Sequence, residues 1–289
     1  MEGLRITGYS IGLSSLLILF SSGAIAQERD SIGFLFHLSN LGYYNEALQY
    51  LDQIEDQSVI SMDSLHYLRG KFHYYQKGLS SSISALNQVS QRSDLYAESQ
   101  LLAAYQEVYS GNWVAGRQQL QSLNVSDPLL TATRQLLMAG GLLLERDIDG
   151  YVREKSLITE HYRQLSQAEN QLELVKGQLQ AYKQKSPAVA GILSTILPGL
   201  GQFYNGNIGQ GSMTLLTVGI FGLQTWESYR KDGIKSVRTI LFGSLFSGFY
   251  IANIWGATLG VKVKKQEFND QINETILVSM HIPLRYLFD

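Results

Sequence analysis

The side chains that could carry out chemistry in this chain are few and widely separated. The 289 residues include five histidines and no cysteine, which excludes disulfides, a thiolate nucleophile and Cys-ligated metal sites. His66 and His73 lie seven residues apart on one predicted helix, whereas a metal-binding pair prefers a spacing of about three or four. No Gly-x-x-x-x-Gly-Lys loop is present to hold a phosphate. We therefore expect a non-enzymatic protein without a metal or cofactor.

Charge and its distribution indicate where the chain resides. The net charge of −2 gives no basic field that would favour nucleic acid. Residues 186–226 and 239–261 contain no charged side chain, and a helix needs about 20 apolar residues to cross a bilayer. The sequence predicts a transmembrane region over 186–261. It would contain a helical hairpin at about 187–205 and 208–227, and one further transmembrane helix at 239–261.

The N-terminus has the pattern of an export signal. Arg5 precedes an apolar core at residues 11–20, and Ala24 and Ala26 provide small side chains before Gln27. We predict a signal peptide over residues 1–26, with an uncleaved membrane anchor as the alternative. An exported chain would place the residues after 27 on the far side of the inner membrane.

Residues 27–150 show a helical repeat with a period of 34–35 residues. The second helix of each predicted hairpin presents a small residue followed by apolar residues four and seven places later. The three sets are Ala47/Leu51/Ile54, Ser82/Leu86/Val89 and Gly116/Leu120/Leu123. Such spacing allows two helices to approach closely and fills the space between neighbouring hairpins.

This region resembles the tetratricopeptide (TPR) family. Residues 42–48, Gly-Tyr-Tyr-Asn-Glu-Ala-Leu, match its turn and second helix, and Gly111, Trp113 and Pro128 occupy corresponding positions in the third repeat. In the second repeat, Gly78 lies one place late. The resemblance implies an α-solenoid whose concave groove binds a protein or peptide.

Four side chains on the predicted first helices are candidates for that groove. They are Tyr67, His73, Tyr74 and Tyr105. Tyrosine and histidine suit a hydrated contact surface, although the same rings could pack between helices instead.

A connecting helix with a heptad pattern is predicted over residues 151–185. Its apolar seam includes Ile158, Leu165, Leu172 and Leu179. The seam could form a dimeric coiled coil, or the helix could lie against the hairpins, which we favour. In the tail, 262–289, apolar residues alternate from Ile276 to Leu284, which predicts one short strand.

A turn motif marks the centre of the membrane region. Its residues are Pro198, Gly199, Gly201, Phe203, Tyr204 and Gly206. Pro198 and the first two glycines weaken a helix, and residues 205–207, Asn-Gly-Asn, are a turn signal. Together with Lys185, Ser186 and Gly211, the motif is similar to the two-transmembrane-helix (TM-two) domain. It also resembles bacterial envelope proteins of unknown function in which an exported repeat region precedes a Pro-Gly-Leu-Gly-Gln-x-Tyr element.

The last apolar stretch carries small residues every four positions. These are Ser244, Gly248, Ala252, Gly256 and Gly260. Such a stripe favours close helix packing in lipid, within the chain or with a second copy, and Asn253 would act as an interhelical hydrogen-bonding residue. Three crossings, or two crossings with a re-entrant segment over 188–203, are both compatible with the sequence.

Taken together, the sequence predicts an all-α protein of the bacterial inner membrane with its repeat domain in the periplasm. The expected function is a membrane-anchored scaffold that binds a protein or peptide partner. The alternatives are a component of a transport or channel complex and a homo-oligomeric membrane organiser.

Overall fold

The computed structural model describes residues 30–55, 60–159 and 162–288, and the regular structure within these ranges is entirely helical. The predicted signal peptide, 1–26, lies outside the described residues. The chain forms two compact units. The first, here called the hairpin unit, extends to Glu173 and also includes the C-terminal residues from Ile276; the second, the apolar unit, is Leu174–Thr275.

The hairpin unit contains four successive helical hairpins. Their helices are α1 (30–40), α2 (Tyr44–Glu55), α3 (Met62–Tyr75), α4 (Leu79–Leu86), α5 (Tyr96–Tyr109), α6 (Trp113–Ser122), α7 (Pro128–Leu144) and α8 (Ile148–Ser156). Each hairpin packs on the next through α2 and α3, α4 and α5, and α6 and α7.

The four hairpin turns are built alike. Each has three residues, and its middle residue is left-handed: φ is 78° at Gly42, 63° at Lys77, 89° at Gly111 and 64° at Arg146. In every turn the next residue donates its N–H to the carbonyl five residues back, at 2.9 Å. This is the Schellman arrangement, which satisfies carbonyls left open at a helix end. The left-handed positions are 35, 34 and 35 residues apart, so the sequence period reappears in the backbone.

The repeat positions found in the sequence lie in the core. All nine residues of the three sets are buried, and Ala47, Leu51, Ser82 and Leu86 have no exposed surface. The small residue is required where helices touch: a Cβ on Gly116 would lie 2.7 Å from the carbonyl oxygen of Ala104. Ser82 donates its hydroxyl to the carbonyl of Gly70 at 2.7 Å.

The predicted connecting helix, 151–185, is wrong in its bounds. Residues 151–156 belong to α8, which completes the fourth hairpin, and the next helix is α9 (Arg163–Ala181). Asp147 caps α8 by accepting the N–H of Gly150 at 2.8 Å, which begins the second helix of the fourth hairpin. Leu165 and Leu172 of the heptad seam are buried within the chain.

The apolar unit continues from the end of α9 with four helices. These are α10 (Pro187–Ile196), α11 (Leu200–Tyr204), α12 (Ile208–Asp232) and α13 (Val237–Phe288), whose last residues belong to the hairpin unit. Among the described residues, one helix is both long and apolar enough to cross a membrane, over Val237–Leu287. In the most apolar 18-residue stretch of this helix, only 11% is buried.

Two further expectations are corrected. The predicted first span, 187–205, is broken between Ile196 and Leu200. The extended backbone of Leu197 ends α10, and the left-handed Gly199, with a φ of 90°, precedes α11. The predicted C-terminal strand is helical. Apolar residues that alternate along a chain also recur at every fourth position, which is the spacing of one helix face. Ile276, Met280 and Leu284 have this spacing, and all three are fully buried.

We predict that Lys77→Gly stabilises the protein by about 1 kcal/mol, because a left-handed conformation costs a residue with a Cβ about that much more than glycine. Gly111→Ala should destabilise it by a similar amount, since a Cβ there would meet no atom within 4 Å and only the backbone is strained. Chemical unfolding of the full chain in detergent measures both changes. Lys77→Ala is the control and should show no gain; equal effects of Ala and Gly at position 77 would contradict the prediction.

Candidate functional site

The four predicted groove residues have different roles in the structure. Tyr67 is 8% exposed and donates its hydroxyl to Glu98 of α5 at 3.2 Å. Burial, followed by the nearby Glu98 carboxylate, raises the pKa of Tyr67 well above its usual value. Burial likewise raises the pKa of Glu98. Tyr67 therefore connects α3 to α5 inside the core, which is the packing role that the sequence left open.

His73 is half-buried on α3. Burial, and then the neighbouring Arg69 guanidinium, lower the pKa of His73. Arg69 bonds Asp52 at 2.7 Å and Glu55 at 2.8 Å.

Tyr74 and Tyr105 meet at a residue that the sequence analysis did not select. The Tyr74 hydroxyl lies 2.5 Å from Nε2 of His281. The ring of Tyr105 stacks on the same imidazole at a centroid distance of 5.3 Å and an angle of 10°. Burial raises the pKa of Tyr105, and Tyr74 and Tyr109 raise it further. The two tyrosines thus bind a side chain of the C-terminal helix.

Residues 276–288 of α13, here called the C-terminal segment, contact three successive first helices. His281 contacts α3 and α5 through the tyrosines, and Met280 packs on Gly140 of α7, where a Cβ would lie 2.5 Å from the Met280 Cγ. Ile276, Met280 and Leu284 have no exposed surface, whereas Val278 is 54% exposed. The segment is therefore an amphipathic helix whose apolar side packs within the hairpin unit.

The sequence held one signal for this contact. Gly140 and Gly141 are unusual in the interior of a predicted helix, and an interior glycine often marks a close approach. Only Gly140 is approached, by Met280; a Cβ on Gly141 would meet nothing within 4 Å.

In the apolar unit, the predicted turn motif brings three helices together through its glycines. A Cβ on Gly199 would collide with the carbonyl oxygen of Gly211 on α12. A Cβ on Gly201 would collide with the carbonyl of Ala190 on α10 and lie 2.7 Å from the Ala257 Cβ on α13. Phe203 packs on Gly211. Gly206 has a φ of 81° and ends α11 in a fifth Schellman turn.

The start of α10 and the end of α11 lie side by side. Tyr204 accepts a hydrogen bond on its hydroxyl from the Ser186 N–H at 3.1 Å, and its carbonyl accepts one from the Lys185 ammonium at 2.5 Å. The chain between them, α10 and α11, therefore returns to the level from which it started.

Asn253 satisfies the backbone at the break between α10 and α11. Its side-chain oxygen accepts the N–H of Gly199 at 3.1 Å, and its amide donates to the carbonyl of Ser194 at 3.1 Å. Asn205 makes a similar bridge to the carbonyl of Ala257 at 2.8 Å. A buried amide between helices is the role that the sequence analysis assigned to Asn253.

The stripe of small residues on α13 is only partly used. Gly256 and Gly260 face the side chains of Gln202 and Asn205, at Cβ distances of 3.4 and 3.2 Å. Ser244, Gly248 and Ala252 are exposed. The buried residues of this part of α13 lie one position later, at Asn253, Ala257 and Val261. Close packing within the chain is therefore limited to the last two turns of the predicted stripe.

The described residues hold no group of three or more Asp, Glu or His side chains that could bind a metal ion. Comparisons with protein-family models, with curated proteins and with solved structures found no match.

We predict that Gly201→Ala lowers the stability of the apolar unit by about 1–3 kcal/mol, because the added methyl group overpacks a contact between three helices. Gly219→Ala is the matched control: it lies in α12, where a Cβ would meet nothing within 4 Å. Thermal unfolding in detergent should show a lower midpoint for Gly201→Ala alone. Equal midpoints for the two variants would be inconsistent with the described packing.

Proposed function

We propose that the protein is a non-enzymatic scaffold anchored in the bacterial inner membrane, whose hairpin unit holds a helical segment of a protein partner in the periplasm. The observation that carries this proposal is the binding of one amphipathic helix by three successive first helices, α3, α5 and α7. The four matching turns and the 34–35 residue period support an α-solenoid of the TPR kind.

Membrane anchoring is supported by the surface of the apolar unit. Both long helices expose large apolar side chains, among them Leu216, Leu223, Leu241 and Trp255. Basic residues flank the apolar part of α13, from Arg238 to Lys262, a separation of roughly 36 Å along a helix. The apolar core of a bilayer is about 30 Å thick. A soluble protein would bury such a helix, and this one is mostly exposed.

The contacts of the apolar unit favour two crossings over three. With ten residues, α10 is roughly 15 Å long, and α11 returns to Lys185. We infer that α10 and α11 form a re-entrant segment and that α12 and α13 cross the membrane. Irregular backbone at membrane depth requires internal hydrogen bonds, which Asn253 supplies. With an exported hairpin unit, the loop between α12 and α13 would lie in the cytoplasm and the end of α13 in the periplasm.

A transport component is the second candidate, since re-entrant and broken helices occur in channels and transporters. The Gly199 N–H and Ser194 carbonyl at the break are both paired with Asn253. These two backbone groups are therefore not available to a substrate, which favours the scaffold.

The self-bound segment indicates what kind of partner the scaffold accepts. It presents apolar residues at every fourth position and one histidine between two tyrosines. A partner helix with the same pattern would compete with the C-terminal segment for α3, α5 and α7, in the manner of helix-in-groove recognition.

Cysteine accessibility tests the topology, because the chain has no cysteine of its own. We expect an impermeant maleimide to label Glu274→Cys in spheroplasts and to label Ser236→Cys only after the membrane is opened. Ser236 precedes the apolar part of α13, and Glu274 follows it. Labelling of both positions from the same side would exclude a crossing by α13.

Binding of a peptide tests the helix-binding surface. We expect Met280→Glu combined with Leu284→Glu to release the C-terminal segment, so that an added fluorescent peptide of residues 272–288 binds at least tenfold more tightly than to the unchanged chain. The tethered segment otherwise competes at a high effective concentration. Fluorescence anisotropy measures the binding.

Val278→Glu is the matched control, since Val278 is exposed; it should leave the peptide excluded. A peptide carrying the same two glutamates should not bind. Failure of the wild-type peptide to bind the double variant, with helicity retained by circular dichroism, would disprove the helix-binding surface.

A further inference from the structure

A cavity of about 400 Å³ in the apolar unit is lined by basic and aromatic side chains. Its charged lining residues are Lys183, Lys185, Lys264 and Glu267. Three ammonium groups and one carboxylate leave a positive excess. Within the described part of the chain, none of the three lysines is in an ion pair.

Two of these lysines are held in place by the backbone of the turn motif. Lys185 donates to the carbonyl of Tyr204 at 2.5 Å, and Lys264 donates to the carbonyl of Asn205 at 2.9 Å. An ammonium group has three donors, so each retains further N–H groups for a ligand. Positioned cations with unused donors are suited to phosphate oxygens.

The other lining residues also fit a phospholipid headgroup. Tyr182 and Phe268 stack at a centroid distance of 3.9 Å and form an aromatic wall, as is common where a membrane protein leaves the bilayer. Asn205 is 3% exposed, and its side-chain oxygen has no hydrogen-bond partner in the described structure. A headgroup hydroxyl could supply that missing donor.

The cavity lies at the edge of the charge-free region. Lys185 immediately precedes the uncharged residues 186–226, and Lys264 follows the uncharged residues 239–261. Ala190 of α10 packs on Ala257 and Val261 of α13, so the two boundaries are at the same end of the apolar unit. Lysine side chains at a membrane boundary attract anionic lipid headgroups.

We propose that this cavity binds a phosphodiester or phosphate group, with Lys185 and Lys264 contacting its oxygens, and that an anionic phospholipid supplies it. The lipid source rests on the membrane embedding proposed above. The phosphate chemistry does not, since a free phosphate or glycerol phosphate would meet the same side chains.

The test uses the full chain in a mild detergent and counts retained lipid by native mass spectrometry. The double variant is Lys185→Gln with Lys264→Gln, which keeps an N–H donor for each carbonyl and removes the charge. The matched control, Lys262→Gln with Lys265→Gln, removes the same charge from neighbouring residues that do not line the cavity. Thermal unfolding without lipid shows whether each variant remains folded.

We expect the unchanged chain and the control to retain phosphatidylglycerol in preference to phosphatidylcholine. The double variant should bind phosphatidylglycerol about tenfold or more weakly. Equal retention of the two lipids, or equal losses in the double variant and the control, would overturn the proposal.

Two further arms separate the sources and the dependence on membrane embedding. Binding of glycerol phosphate or inorganic phosphate to the purified protein at lower concentration than phosphatidylglycerol would assign the site to a soluble phosphate instead of a lipid. Extraction of each variant with alkaline carbonate reports anchoring alone. If carbonate releases the unchanged chain, the anchor proposal fails, while phosphate binding is still measured directly on the purified protein.

Discussion

A helix leaves its last carbonyls and first amides without intrahelical partners, and both units are organised by how those groups are satisfied. In the hairpin unit, a three-residue turn repeated four times closes the carbonyls by backbone hydrogen bonds and reverses the chain. In the apolar unit, the Gly199 N–H and the Ser194 carbonyl at the break between α10 and α11 form hydrogen bonds with the side chain of Asn253. A backbone N–H or carbonyl that is buried among apolar side chains without a hydrogen-bond partner costs several kcal/mol.

The parts of the fold that depend on local spacing could be predicted. The 34–35 residue period and the nine buried repeat positions both follow from side-chain size and glycine placement. What could not be predicted depends on the partners of a residue. Lys77 and Arg146 occupy left-handed positions that a sequence pattern assigns to glycine. Gly248 belongs to a regular stripe of small residues, yet a Cβ at this position would meet no atom within 4 Å.

The candidate site was harder to predict, because it too depends on which distant residues come into contact. The side-chain chemistry of Tyr74 and Tyr105 indicates a contact surface, but the residue that they contact, His281, lies 207 residues away from Tyr74 in the sequence. An alternating pattern from Ile276 to Leu284 fits a strand or a helix equally well, since every second residue includes every fourth. The helical form is favoured by the surface on which the segment packs, which includes Gly140 on α7. The proposed scaffold function therefore rests on a tertiary contact more than on any motif.

The position of the C-terminal segment in the chain also has a consequence for biosynthesis. The residues that cover Tyr74, Tyr105 and Gly140 follow the hairpins in the chain and are synthesised long after them. Until α13 has been made, the apolar face of those hairpins is uncovered, and such surfaces are prone to aggregation. A chaperone that shields this face, or another apolar helix that reaches it first, would have its opportunity in the interval before α13 has been synthesised.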